Sequence, residues 1–191
     1  MTLSTRFSEA LAFAADLHRN QVRKGPAGTP YIGHLLAVAA IVIEFGGNEE
    51  EAIAALLHDA VEDQGGAPTL AMIRRLFGED VAAIVDGCSD TDQQPKPAWQ
   101  ARKERYIAHL AGAAASVLLV ASADKLANAR SILIDLRTMG NAVWDRFHCT
   151  RQQSLWYYRT VLETLRQTAV NRSLFAELEA VVAELERAAQ A

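Results

Sequence analysis

Cysteine is nearly absent: only Cys88 and Cys149 occur in 191 residues, too few for a disulfide scaffold. Long apolar runs are missing too. The longest, LLAVAAIVI at 35–43, has nine residues, where crossing a bilayer takes about 20. The N-terminus, MTLSTRFSEALAFAADLH, lacks a charged start followed by an apolar block and a cleavage site, so the expected location is the cytoplasm. There is no excess of positive charge: 19 Lys and Arg stand against 23 Asp and Glu, a formal net charge of −4. That balance argues against a nucleic-acid-binding surface. It leaves room for a phosphorylated substrate met by local cations or a metal. Strand-like alternation never persists beyond a few residues, and no internal repeat is present. Half the residues are apolar, enough for a large core in a chain of single-domain length.

The apolar residues recur with helical period. Phe7, Ala10, Leu11, Ala14 and Leu17 mark one buried stripe over 6–18. GHLLAVAAIVIEFGG predicts a mostly buried helix over 33–47, stopped by Gly46-Gly47. NEEEAIAALLHDAVED predicts another over 48–63, with an Asn cap and an acidic first turn that suits the amide dipole. Two short helices follow around Gly78, then a polar loop, DTDQQPKPAW, at 90–99. Helices over 99–112, 115–138, about 150–168 and 173–190 complete the chain. The expected fold class is all-α, a helical bundle forming one domain over 1–191. The last helix packs either on the core or on a second subunit of a homo-oligomer.

Within LLHDAVEDQGG, at 56–66, a histidine and three carboxylates interrupt an apolar run. On a helix turning about 100° per residue, with His58 at zero, Glu62 falls at about 40°, Asp59 at about 100° and Asp63 at about 140°. These four share one face, and Ile53, Leu56, Leu57, Ala60 and Val61 fill the opposite arc. One reading is a solvated acidic face. The other is a metal site, because His and Asp are ligand types and no lysine is mixed in as a solubility face would have it. Further ligands would come from elsewhere. His34, in PYIGHLLAV, is either a helix-start cap or a ligand, and Asp124, in VASADKLANARS, ends a buried run and needs a cation. Lys125 or Arg130 could serve as that cation.

The order H…HD…D resembles the signature of the HD superfamily of metal-dependent phosphohydrolases, which are all-helical. HRNQVRKGPAGTPYIGHLLAV, ALLHDAVED and ADKLANARS are similar, in order and spacing, to the hydrolase domain of RelA/SpoT homologues. Those enzymes remove the 3′-pyrophosphate of the alarmone (p)ppGpp. The match runs from about residue 9 to 135 and leaves no room for a synthetase domain, so a stand-alone small alarmone hydrolase is expected. The resemblance implies His34, His58, Asp59 and Asp124 as metal ligands, with Mn²⁺ the usual ion. Two imidazoles and two carboxylates suit a borderline divalent ion with positions open to water. It further implies that Glu62 and Asp63 act on the attacking water, Glu62 as general base. Arg23 and Lys24 would lie beside the base of a purine nucleotide, where Arg stacks better than Lys. Lys125, Asn128 and Arg130 would face sugar and phosphates, and Tyr31 shares the turn that presents His34.

Some positions depart from the long family members. Leu35 stands where Pro is common, Ala127 replaces a frequent His, Ser131 a Thr, and GCSDTD a VTK-like stretch. These changes are expected to touch the substrate wall and to bear on nucleotide choice. The aromatic and Arg-rich segment 141–162 is either core or a pocket wall presenting Arg146, Arg151 or Tyr157. His18 is expected to support the turn before Arg23, and His109 to face solvent. Lys96 is either a loop charge or part of a lid. The rival functions are hydrolysis of (p)ppApp, removal of the 2′-phosphate of NADPH, and nucleotide sensing without turnover.

Overall fold

The predicted periodic segments become helices in the computed structural model, which describes residues 2–25, 28–91 and 96–190. In chain order they are α1 Thr5–Leu17, α2 Ile32–Glu44, α3 Glu49–Leu57, α4 Ala60–Asp63, α5 Ala67–Phe77 and α6 Glu79–Cys88. Then come α7 Trp99–Leu110, α8 Ala115–Met139, a 3₁₀ turn Gly140–Arg146, α9 Arg151–Leu165 and α10 Arg172–Gln190. No strand occurs among the described residues. A single antiparallel bridge pairs Val22 with Pro30. The fold is all-α, as the sequence predicted.

Local chemistry sets the boundaries. Asn48 and Glu51 exchange side-chain and backbone hydrogen bonds of 2.9 and 2.7 Å, a reciprocal cap that starts α3. Before it, Gly46 takes φ +84, which ends α2. Gly47 lies so close to α2 that a β-carbon would sit 2.5 Å from the Val42 side chain.

The core forms around α3 and α8. Residues 52–57 of α3 are all buried, as are 117–124 of α8. Helix α3 packs on α1, α2, α6 and α8, while α10 covers α8. In α10, Leu174, Leu178, Val182 and Leu185 turn one stripe inward. That helix therefore packs on its own core. No helix among the described residues is long and apolar enough to cross a membrane.

Two expectations need correction. The segment 48–63 is not one amphipathic helix: α3 stops at Leu57 and α4 starts at Ala60. Asp59 lies between them at φ −95, ψ −2, outside regular helix geometry. Leu35 does not touch a substrate wall. It is fully buried in the core.

Candidate active site

The break between α3 and α4 has a chemical consequence. Adjacent residues of a regular helix point about 100° apart, but here His58 and Asp59 turn toward one point, with His58 Nε2 2.9 Å from Asp59 Oδ2. His34, in the first turn of α2, brings its Nε2 to 3.6 Å from the same oxygen. Asp124 of α8 supplies Oδ1, 3.1 Å from His34 Nε2 and 3.6 Å from His58 Nε2. The ligand atoms of His34, His58 and Asp59 lie within 4.8 Å of one another. The four side chains predicted from the H…HD…D order thus converge at the end of two buried helices.

The donors fit a divalent metal. Atoms about 2.1 Å from one ion and about 90–109° apart sit about 3.0–3.4 Å from each other, close to the separations observed. His58 Nδ1 donates to the Ala55 carbonyl oxygen at 2.9 Å, which leaves Nε2 as the lone-pair nitrogen. That Nε2 is buried without a hydrogen-bond partner among the described residues, an expensive arrangement unless an ion takes it up. Burial opposes ionisation of Asp59 and Asp124. For Asp124, Lys125 alongside it outweighs that cost and holds the carboxyl well below the usual range.

The carboxylates are themselves held. Tyr31 Oη donates to Asp59 Oδ2 at 2.6 Å. Asn128 Nδ2 and Lys125 Nζ donate to the two oxygens of Asp124. Arg23 closes the ring, with one guanidinium nitrogen donating to Asn128 Oδ1 at 2.9 Å and its carbon 5.8 Å from the Tyr31 ring centre. The Val22–Pro30 bridge places it there, supported by hydrogen bonds from Arg23 N–H to Thr29 and from Tyr31 N–H to Gln21. His18 serves this turn as expected: it is buried, meets Gln21 Oε1 at 2.7 Å and stacks on Tyr31.

This cluster forms the floor of a cleft of about 1250 Å³. Among the sequence-predicted residues, Arg23, Lys24, Tyr31, Glu62, Asp63, Lys125 and Asn128 line it with three of the metal-type side chains, His34, Asp59 and Asp124; His58 lies buried beneath. Arg130 is the exception. It projects from α8 toward α10, pairs with Glu177 at 2.8 Å, and lies outside the cleft. A residue after Asn128 by two positions is turned about 200° around the helix, which carries it to the far side.

Glu62 and Asp63 stand at the cleft side of α4. Lys96 donates to Glu62 Oε1 at 2.8 Å and to Asp63 Oδ1 at 3.2 Å, while Gln21 Nε2 reaches Asp63 Oδ2 at 2.8 Å. Lys96 is therefore bound to the acidic pair, and residues 92–95 of its loop lie outside the described residues. Burial, followed by the charge of Asp90, pushes the Glu62 carboxyl above its usual range against the pull of Lys96 and Lys103. Burial also lowers the Lys24 ammonium.

The opposite wall went unread in the sequence. Trp99, Arg102, Lys103 and Tyr106 of α7 all line the cleft, and their spacing of three, four and seven residues was the available signal. Asp90 joins them, although GCSDTD registered only as a departure. The aromatic segment divides. Val143 and Trp144 are buried in the core, Arg146 and Tyr157 line the cleft, and Arg151 turns away to donate to the Ala189 carbonyl at 2.9 Å. Arg146 bonds Asp135 at 2.6 Å and lies against Gly25, at φ +138, where a β-carbon would meet it at 2.6 Å. Ala127 and Ser131 do line the wall, and His109 is exposed as expected.

The HD domain family matches residues 10–151, the stretch that carries all four converging side chains. The chain belongs to that family. It is similar to the guanosine-3′,5′-bis(diphosphate) 3′-pyrophosphohydrolase MESH1 of Drosophila melanogaster, 34% identical over 173 residues and covering 90% of each chain. The Homo sapiens protein of the same name is 39% identical over 126 residues, covering 65% of this chain and 68% of that one. A solved structure, described as a metazoan ortholog of SpoT that hydrolyzes ppGpp and plays a role in starvation responses, superimposes with a TM-score of 0.80. It shares 30% identity over 99% of both chains. For this HD-family chain, the likeness therefore extends over the whole helical bundle.

Proposed function

We infer that this HD-family protein is a metal-dependent 3′-pyrophosphohydrolase of (p)ppGpp, yielding GDP or GTP and pyrophosphate. The observation that carries this reading is the convergence of His34, His58, Asp59 and Asp124 below a cleft lined by Glu62, Asp63 and several cations. The MESH1 relatives, named for that reaction, supply the substrate class. Residues 1–191 act as one hydrolase unit, and the setting is cytoplasmic.

His34, His58, Asp59 and Asp124 would hold the ion, with Mn²⁺ our choice. When bound, such an ion neutralises phosphate charge and acidifies water. Glu62 takes the proton of the attacking water. Lys96 and Arg102 both meet its Oε1, and Oε2 is the oxygen that accepts it. A carboxyl raised above its usual range suits that task better than an ordinary glutamate. Asp63, pinned by Gln21 and Lys96, orients the same water. The water oxygen bonds to the phosphorus attached to the ribose 3′-oxygen. That P–O bond breaks, and the 3′-oxygen leaves and takes up a proton from solvent. Lys24, Lys103 and Lys125 line the cleft and meet the charge of the departing pyrophosphate. Arg23 and Tyr31 offer a flat face to the purine.

The test is turnover with Mn²⁺ on ppGpp, pppGpp, pppApp and NADPH, with products identified. The expected result is fastest release of pyrophosphate from the guanosine nucleotides. Preference for pppApp or NADPH would correct the substrate, and tight binding without turnover of any of the four would make the protein a sensor.

A further inference from the structure

Asp90 follows α6 and is nearly inaccessible, its side chain 3% exposed. Its two oxygens receive one nitrogen of Arg102, at 2.6 and 2.8 Å, and Lys103 Nζ at 2.6 Å. The same Arg102 nitrogen also reaches Glu62 Oε1, at 3.0 Å. That nitrogen carries two hydrogens for three acceptor oxygens, so the shorter contacts to Asp90 take the larger share. A buried carboxylate satisfied by two cations is a fixed element, because leaving either partner unpaired is costly.

We propose that Asp90 is a positioning residue: by seating Arg102 and Lys103 it aims a guanidinium nitrogen at Glu62 and keeps that cation from neutralising the carboxylate alone. The proposal deepens the hydrolase reading and rests on it for the role of Glu62. The charged groups set around Glu62 come from several elements. Asp90 follows α6, Lys96 precedes α7, and Arg102 and Lys103 belong to α7. Asp63 is its neighbour on α4, and Asp59, Asp124 and Lys125 occupy the floor. Burial works against ionisation of Asp90, but Lys103 and then Arg102 hold it ionised, so a proton taken up by the pair goes to Glu62. Removing Asp90's charge hands Arg102 wholly to Glu62 and makes it a weaker base. Removing Lys103's charge does the reverse, directly and by leaving Asp90 less neutralised.

Asp90→Asn and Lys103→Met in the full chain test this through two readouts. One is titration of the Glu62 carboxyl NMR resonance in Mg²⁺-loaded protein, assigned with Glu62→Gln. The other is the acid limb of kcat/KM on ppGpp with Mn²⁺. Asp90→Asn should move both to lower pH and Lys103→Met to higher pH, each by about one pH unit, as neighbouring charges do. General loosening of the site cannot produce opposite signs. Shifts in one direction for both variants, or none in either, would overturn the proposal. Should Asp90→Asn fail to fold, the upward shift in Lys103→Met, whose side chain is partly exposed, decides alone. If the resonance shifts as stated but the wild type leaves ppGpp intact, the coupling stands and the hydrolase reading falls.

Discussion

On one wall of the cleft, ligand-type residues sit side by side at the ends of buried helices: His58 next to Asp59, His34 opening α2, Asp124 closing an apolar run. On the other wall, Trp99, Arg102, Lys103 and Tyr106 come three and four residues apart along an ordinary-looking surface helix. The first wall is rigid because its helices are core. Its two carboxylates, Asp59 and Asp124, are held by a ring of Tyr31, Arg23, Asn128 and Lys125. The second wall is held by charge, through Asp90 below and through Lys103 and Lys125 lying 5.1 and 5.9 Å from the Tyr157 ring centre. Packing thus fixes the atoms of the first wall, while the second is assembled from long cations seated on a buried carboxylate.

Glu62→Gln cuts between the two walls and should have the largest effect. The metal stays while kcat falls about 10²–10⁴-fold, the usual worth of a general base. A rate close to wild type would move the proton transfer to another group. Tyr31→Phe weakens the rigid wall alone. It removes one hydrogen bond to Asp59, and metal affinity measured by calorimetry should fall about 10–100-fold, as loss of outer-shell support generally does. Arg23→Ala probes the junction between them. Loss of its flat cation should raise KM by about 1–2 kcal/mol of contact energy with kcat nearly intact. A fall in kcat at constant KM would assign Arg23 to the support of Asn128 and Asp124 instead. The smallest effect belongs to Arg130→Ala. Its exposed pair with Glu177 is worth about 0–1 kcal/mol of stability, and kcat and KM should not change.

The rigid wall was legible in the sequence because its residues are chemically out of place. Carboxylates and imidazoles inside apolar runs have no structural use, and their order marks the family. Helix limits were legible for the same reason that Asn48 and Gly46 are visible caps. The break at His58–Asp59 was not, since neither Gly nor Pro marks it and periodicity continues across it. The basic-aromatic wall stayed hidden for a different reason. Arg, Lys and Tyr at helical spacing also describe a solvated surface, and only the packing of α7 beside α9 and the loop at Asp90 turns that face inward. Arg130 shows the opposite error. Proximity to Asn128 along the chain suggested the cleft, but helix rotation carries its side chain to α10.

The central claim is that four converging side chains hold an ion the reaction requires, and one paired measurement tests it directly. Wild type and Asp59→Ala are stripped with chelator, reloaded with Mn²⁺, and assayed for metal content and ppGpp hydrolysis in the same samples. The account predicts one ion per wild-type chain with turnover restored, and loss of most metal and all turnover in Asp59→Ala. Unchanged metal content in the variant, or hydrolysis by the stripped wild type, would contradict it.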